Sequence, residues 1–275
     1  MCCIGPALAG NPTQYVMEKC FQHSGWDRRF LSLQVEIEDV SAAVAGMRAM
    51  NFRGAVVTSP LQRAVLDCLQ DVGAAAGRSH LVNCLYRDGD GQWFGEDTIG
   101  RGFQQSLPET YDPQGGKAML LGSGAKACAI ACTLLDAAIG ELIVAGIDQD
   151  EVNRFVSVLQ PHAGEANLRC VSGDAPFEVE SDVQLLIHVP ESGDAESVEA
   201  VPLVEESIHA DMLCADTCYG SPSTGFLQMG GDRGCSTFQG QQIQVHIWAE
   251  CVRLWTGSEP DVEIMREALE EYLGL

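Results

Sequence analysis

The sequence predicts an α/β fold of two domains, and three observations support that prediction. Strand-like and helix-like patterns alternate along almost the whole chain, which is typical of parallel sheets with helices on their faces. The length of 275 residues suits one large or two medium domains. Residues 108–116, PETYDPQGG, are rich in Pro and Gly and separate two alternating regions. We therefore expect a domain boundary at this connector.

Hydrophobic periodicity predicts the elements before the connector. Strands are expected at residues 2–5, 30–37 and 54–58, and a helix at residues 13–24. A second helix carries an apolar stripe at spacing i, i+3, i+4, i+7, made of Val40, Ala43, Val44 and Met47. A third helix opens at Pro60 and is expected to bury Val65, Cys68, Leu69 and Val72. Residues 87–91, RDGDG, predict a hairpin between strands 81–86 and 92–94, and a polar helix follows at 97–107.

After the connector the same alternation continues. Apolar strands are expected at residues 118–121, 142–147, 168–172, 184–189 and 213–217. A helix leaves the first of these strands and ends near Ala137. Two helices close the chain, and residues 258–261, SEPD, cap the second. Their apolar faces are Trp248, Cys251, Val252 and Trp255 on one and Met265, Leu269, Tyr272 and Leu273 on the other.

Composition excludes several function classes. Sixteen Lys and Arg, of which only three are Lys, oppose 39 Asp and Glu, and the net charge is −23. Such a charge repels nucleic acids and anionic lipid, so neither is an expected partner. We expect a cytoplasmic protein, because a signal peptide and an apolar run of membrane-spanning length are both missing from the sequence. The 12 cysteines are expected to be reduced thiols without metal, and residues 191–199 to form a solvated acidic surface.

Residues 122–127, GSGAKA, match the GxGxxA form of the dinucleotide fingerprint between a predicted strand and a predicted helix. The candidate cofactor-binding residues in this loop are Gly122, Ser123, Gly124, Ala125 and Lys126. The alternative is a tight turn with nothing bound.

A residue that reads the adenosine ribose is expected at the end of the next strand, VAGID. Gly146 offers no side chain there, and the first acid, Asp148, comes one or two positions late. The sequence therefore leaves NADP and NAD open. His188 is a further cofactor-site candidate, because it ends a strand where ligands of open α/β sheets bind. A structural histidine is the alternative for His188.

Several short motifs, in the same order, resemble those of the shikimate/quinate dehydrogenase family. Residues 46–60, GMRAMNFRGAVVTSP, resemble the family's GLRALGFRGVNVTIP, and residues 95–103, GEDTIGRGF, resemble GYNTDGIGF. Further matches are the LVNC of 81–84 to AVNT, the glycine loop to GAGGAARA, and the LWTG of 254–257. Residues 216–219, DTCY, with Pro222 and Thr224, resemble DLVYNPLET.

The resemblance implies a particular architecture and chemistry. Residues 1–108 and 240–275 would form a domain that binds a cyclic polyhydroxy acid, with the last helices returning to it. Residues 109–239 would form a Rossmann-like domain for NADP or NAD, with the active site in the cleft between the domains. In this family a hydride passes between the alcohol carbon and nicotinamide, while a lysine paired with an aspartate handles the hydroxyl proton.

Both proton-handling positions differ in this sequence. The family's VTIPHK falls on residues 57–62 and places Gln62 at the lysine, and its NTDG falls on residues 97–100 and places Ile99 at the aspartate. Glutamine cannot titrate, and the isoleucine side chain can neither donate nor accept a hydrogen bond. We therefore expect little or no ordinary shikimate dehydrogenase activity.

Other substrate positions differ from the family's motifs or admit two alignments. An ungapped alignment places the family's SLS on residues 11–13, so Asn11 and Thr13 could bind a carboxylate; a rival register matches residues 10–12 to GNP and deletes the serines. Ile247 falls on a substrate-facing glutamine, and residues 145–147 fall on the NADP-reading NRT. The resemblance retains Thr58, Asn83 and Tyr219 as substrate-binding candidates. Asn83 and Tyr219 also have structural alternatives.

Three functions are compatible with the sequence. The first is an NAD(P)-dependent oxidoreductase with an altered substrate or proton relay. The second is an inactive relative that binds a nucleotide or small acid and has a regulatory role. The third is a different enzyme on the same scaffold that uses a thiol such as Cys84. A homodimer is one option for the oligomeric state.

Overall fold

The computed structural model describes residues 1–173, 176–190 and 203–275, and the chain forms two compact units. Unit 1 contains Met1–Gly102 and Val245–Leu275, and unit 2 contains Phe103–Gln244. The unit boundaries therefore fall at 102/103 and 244/245, compared with the predicted 108/109 and 239/240. Both observed boundaries fall within helices, Ile99–Ser106 and Gly240–Thr256. The acidic run at 191–199 lies outside the described residues.

Unit 1 is built on a six-stranded mixed sheet with the order β2-β1-β3-β5-β6-β4. Only β5 runs antiparallel to its neighbours. The strands are β1 Cys2–Gly5, β2 Leu31–Gln34, β3 Gly54–Val57, β4 Asp71–Val72, β5 Cys84–Arg87 and β6 Trp93–Glu96. The helices are α1 Thr13–His23, α2 Val40–Ala49, α3 Leu61–Ala64, α4 Ala74–Ser79 and α10 Val262–Leu273, with the first part of α5 Ile99–Ser106 and most of α9 Gly240–Thr256.

The C-terminal helices complete the core of unit 1. Trp248 and Trp255 of α9 lie in a buried cluster with residues of α1 and the sheet. The Trp255 indole N–H donates to the Leu85 carbonyl at 2.9 Å. A Cβ on Gly54 would lie only 2.1 Å from Trp255 Nε1, so this close approach requires glycine. Asp261 caps α10 by accepting from the amides of Glu263 and Ile264, within the segment predicted to cap it.

The predicted helix after Pro60 is wrong in its length and in its last part. Helix α3 has four residues, a 3-10 turn follows at Val65–Cys68, and Val72 lies in strand β4. Leu69 adopts an extended backbone, which ends the helical geometry. Val65 is buried in one core cluster, and the other three apolar residues of the stripe pack against it. Periodicity therefore identified the core-facing residues correctly but assigned the last of them to the wrong element.

Unit 2 contains a six-stranded sheet that is parallel throughout. Its strands are β7 Lys117–Leu121, β8 Glu141–Gly146, β9 Asn167–Ser172, β10 Leu185–His188, β11 Leu213–Asp216 and β12 Ser236–Phe238. The described helices are α6 Ala125–Asp136, α7 Gln149–Leu159 and α8 Gly225–Asp232. The order β9-β8-β7-β10-β11-β12 is the 3-2-1-4-5-6 order of the Rossmann fold, with the reversal between β7 and β10. The predicted two-domain α/β fold is confirmed; α7, α8 and β12 were not anticipated.

All 12 cysteines are free thiols, and ten of them are buried. The ten buried cysteines pack as small apolar side chains in both units, as expected. Within the described residues, no helix combines the length and the apolar character needed to cross a membrane.

Candidate functional site

The polar residues of unit 1 gather at one edge of its sheet because of strand direction. Strands β1, β3 and β6 end at this edge and the antiparallel β5 begins there. Thr58 follows β3, and its amide and hydroxyl both donate to the Ile4 carbonyl, at 3.0 and 3.2 Å. A Cβ on Gly5 would lie 2.0 Å from Thr58 Oγ1, so glycine lets the hydroxyl sit against β1.

Gln62 links two segments at the same edge. Its side-chain Nε2 donates to the Val57 carbonyl at 3.1 Å, and its own carbonyl accepts from the Val82 amide at 2.9 Å. The side chain is half-buried. At the position where the resemblance implies a lysine, the chain thus holds an amide that braces the backbone and carries no titratable proton.

Asn83 and Thr98 form a closed pair across the edge. Asn83 Nδ2 donates to Thr98 Oγ1 at 2.8 Å, and the Thr98 amide donates to Asn83 Oδ1 at 2.7 Å. The Thr98 hydroxyl also donates to the Ile247 carbonyl at 3.2 Å. Asn83 is 4% exposed. Both ends of its amide therefore take part in internal bonds, which supports the structural alternative and leaves its ligand role a prediction.

Asp97 is a titratable group at this edge that the sequence analysis missed. It is 4% exposed and accepts from the Ile99 amide at 2.8 Å, so it holds the first residue of α5. Burial raises its pKa to about 6, against the opposing effect of hydrogen bonds from Ser79 and from the Ile99 and Gly100 amides. The sequence prediction placed Asp97 inside the helix, at its first residue, whereas the helix begins at Ile99 and Asp97 lies in the position of a capping acid before it.

Ile99 begins α5 and is 3% exposed. The isoleucine thus occupies a closed, apolar position where the resemblance implies a carboxylate. Ile247 is also 3% exposed, and α5 packs directly on it, because a Cβ on Gly102 would come within 2.6 Å of the Ile247 backbone. Both isoleucines belong to the packed interior of unit 1.

The remaining substrate candidates belong to the start of α1 and to unit 2. Asn11 Oδ1 accepts from the Thr13 amide at 2.9 Å at the start of α1. Thr13 is 2% exposed, and its side chain hydrogen-bonds the buried Cys3 thiol. Tyr219 belongs to unit 2, where its carbonyl accepts from Gln241 Nε2 at 2.8 Å.

The glycine loop of unit 2 has the features of an anion-binding turn. Gly122 adopts φ +130°, and a Cβ there would lie 2.3 Å from the Val189 carbonyl oxygen. Gly124 is the N-cap of α6, and none of the described side chains caps this helix. A Cβ on Gly124 would meet no atom within 4 Å among them. With no described side chain at this cap, the first amides of α6, from Ala125 onward, are available to an anion such as a pyrophosphate.

The neighbouring loop is acidic. Asp148 caps α7 by accepting from the Glu151 amide at 2.9 Å. Glu151 reaches back and accepts from the Ser123 hydroxyl at 2.5 Å. Gly146 has to be small because a Cβ there would lie 2.7 Å from a Val152 methyl. Lys126, on the first turn of α6, is the cation of the glycine loop itself.

His188 lies at the carboxyl end of β10 and is paired with a buried acid. Its Nδ1 lies 3.2 Å from Asp216 Oδ2, and that oxygen also accepts from the Thr224 hydroxyl at 2.6 Å. The other Asp216 oxygen accepts from the Cys218 amide at 2.9 Å. Asp216 is fully buried, so these donors stabilise its carboxylate and tie β10 to the start of α8.

Two further chemistries find little support. Cys84 is fully buried, and burial raises its pKa well above that of a free thiol, which corrects the suggestion that it acts as a nucleophile. In the described part of the chain, no three His, Cys, Asp or Glu side chains are grouped to hold a metal.

The Rossmann strand order and the open glycine loop define a dinucleotide-binding unit within a two-domain α/β protein. Residues 8–85 match the family model described as the shikimate dehydrogenase substrate binding domain. The shikimate dehydrogenase (NADP(+)) of Moorella thermoacetica is 31% identical, covering 98% of this chain and 93% of the relative. That of Methanopyrus kandleri is 30% identical, covering 97% and 94%.

Solved structures agree with this relationship. The ligand-free 5-ketofructose reductase of Gluconobacter superposes with a TM-score of 0.92 at 27% identity, covering 98% of this chain and 97% of that one. Shikimate 5-dehydrogenase of Thermus thermophilus, solved with shikimate, gives 0.86 at 26% identity, covering 100% and 98%. The chain belongs to the shikimate dehydrogenase family, which confirms the resemblance found in the motifs.

Proposed function

We propose that this protein is an NAD(P)-dependent oxidoreductase of shikimate dehydrogenase type with an altered substrate or impaired catalysis. The observation that carries the proposal is the pair Gln62 and Ile99 at the positions of the family's lysine and aspartate. Loss of general acid–base help typically costs about 10²–10⁴ in rate. Asp97 is buried as a helix cap and is not arranged to replace them.

The residues of unit 2 fit a nicotinamide dinucleotide. Open amides at the start of α6 would hold its pyrophosphate, and Gly122 and Gly124 let the backbone approach. When bound, the dinucleotide supplies the hydride acceptor or donor of the reaction. The protein would bind and orient the dinucleotide and the substrate. The hydroxyl proton would be exchanged with solvent, with another group of the substrate or with a side chain other than Gln62.

The substrate class we propose is a small polyhydroxylated acid or ketone. The relatives named above act on shikimate and on 5-ketofructose, which share ring or chain hydroxyls next to a carbon that is oxidised or reduced. The edge of unit 1 holds the uncharged side chains of Thr58 and Gln62, which donate to backbone carbonyls and whose oxygens would accept from such hydroxyls. A neutral keto sugar therefore suits this edge at least as well as a charged ring acid.

A second candidate function is a catalytically inactive relative that binds a nucleotide or small acid in a regulatory role. It is favoured by the way in which Gln62 and Ile99 are built into the structure, one as a backbone brace and the other as a buried apolar residue.

Titration with NAD and NADP, followed by turnover on shikimate, quinate and 5-ketofructose, separates these functions. Dinucleotide binding with turnover of a ketose or another hydroxy acid supports the oxidoreductase. Binding without any turnover supports the inactive relative. Robust oxidation of shikimate by the purified protein would contradict the proposal that Gln62 and Ile99 disable the usual chemistry.

A further inference from the structure

One side chain of the next helix reaches the glycine loop, and it is a glutamate. Glu151, the third residue of α7, accepts the hydroxyl proton of Ser123, the middle residue of the loop. The two residues are 28 positions apart in sequence, at the ends of the adjacent parallel strands β7 and β8. The half-buried Glu151 carboxylate therefore lies beside the loop.

The position where Rossmann folds usually carry the ribose-reading residue cannot do so here. Strand β8 ends at Gly146, and any side chain there would collide with Val152. Asp148, the first acid after the strand, uses Oδ1 to cap α7. Asp148 is thus held as a helix cap, and the acid that reaches the glycine loop is Glu151.

The charges around this position are mostly negative. Asp148, Asp150 and Glu151 lie within four residues, and Asp148 and Asp150 are exposed. The cations on α6 and α7 are Lys126 and Arg154, one on each helix. Arg154 is exposed and donates from Nε to the Asp150 carbonyl at 3.1 Å, so it is held on α7.

We propose that Glu151, positioned by Ser123, recognises the adenosine ribose and makes this protein select NAD over NADP. The inference rests on the proposed dinucleotide binding in unit 2. A carboxylate accepts hydrogen bonds from the 2′- and 3′-hydroxyls of NAD, as the acid of a Rossmann fold does. The 2′-phosphate of NADP would instead bring up to two negative charges against three carboxylates. The curated relatives named above are NADP(+) enzymes, so this chain would differ from them in cofactor choice.

The test is a calorimetric binding titration of the full chain with NAD and with NADP at one fixed ionic strength. The wild type is expected to bind NAD at least about tenfold more tightly than NADP. Glu151→Gln keeps the size of the side chain and removes its charge. This variant is expected to lower the ratio of the NADP Kd to the NAD Kd by about tenfold, because NAD binding weakens and NADP binding strengthens.

Glu165→Gln is the matched control. Glu165 is exposed in the turn before β9, at the opposite edge of the sheet from the glycine loop, and its loss changes the net charge equally. This control is expected to leave the ratio unchanged. Thermal unfolding of both variants checks that each is folded.

Three outcomes contradict the inference, and they can be told apart. Tighter or equal binding of NADP by the wild type overturns the cofactor choice but leaves dinucleotide binding intact. An NAD preference that persists in folded Glu151→Gln overturns the role of Glu151. Failure of both nucleotides to bind overturns the proposed function and the inference together.

Discussion

The two units use the same structural device, a row of strand ends, but they differ in which functional groups remain there. In unit 2 the glycine loop keeps its open amides and its glycine geometry. In unit 1 the corresponding edge holds Thr58 and Asn83, and we propose that Gln62 and Ile99 stand where the family's proton-transfer residues would lie. We therefore propose that dinucleotide binding and proton chemistry diverge independently in this chain, because they would depend on separate units.

The largest effect is expected from restoring the proton relay in unit 1. We expect the double variant Gln62→Lys, Ile99→Asp to raise shikimate oxidation by about 10²–10⁴-fold over the wild type, the range of general acid–base catalysis. Steady-state rates with NAD and with NADP measure the gain.

Arg63→Lys is the control for the added lysine, because Arg63 is exposed on the same helix. The Arg63→Lys variant is expected to gain no shikimate oxidation activity. Ile99→Asp alone is expected to destabilise the fold by about 3 kcal/mol, because an unpaired carboxylate would be buried. Urea unfolding measures this loss. A double variant that is folded, binds dinucleotide and stays inert would show that Gln62 and Ile99 alone do not limit activity.

A smaller effect, which depends on pH, is expected at Asp97. Its folded pKa of about 6 lies above the ordinary value of 3.8, so folding favours the neutral acid. Stability contributed by this group is fully present below pH 4, is lost between pH 4 and 6, and stays lost above pH 6. Asp97→Asn keeps the cap and removes the charge. We expect the free energy of unfolding of this variant to exceed that of the wild type by about 2–3 kcal/mol at pH 7.5 and by little at pH 3.5.

Urea unfolding at the two pH values measures the difference between Asp97→Asn and wild type. Asp67→Asn, at an exposed acid on the same unit, is the comparison for simple loss of charge. An equal effect of Asp97→Asn at both pH values would mean that the buried carboxylate carries no penalty.

The sequence predicted local features far better than contacts between distant segments. The glycine loop was found because its function depends on consecutive residues, and the hairpin at 87–91 was found for the same reason. Glu151 was missed because its importance arises only when β7 and β8 lie side by side. The helix after Pro60 was extended too far because an apolar stripe records burial, which Val72 achieves from a strand.

The smallest predicted effect concerns the glycine loop of unit 2. Gly124 has φ −74°, which any residue adopts, and a Cβ there would meet no described atom within 4 Å. Gly124→Ala is therefore expected to fold with unchanged stability, while its methyl group blocks the backbone from a pyrophosphate and weakens dinucleotide binding by about tenfold. Gly122→Ala is the contrasting variant, because its Cβ would collide with the Val189 carbonyl and destabilise the unit itself. Calorimetric titration combined with thermal unfolding separates the two results. Unchanged affinity in folded Gly124→Ala would mean that the loop is only a turn, and the contrast between the two units would then disappear.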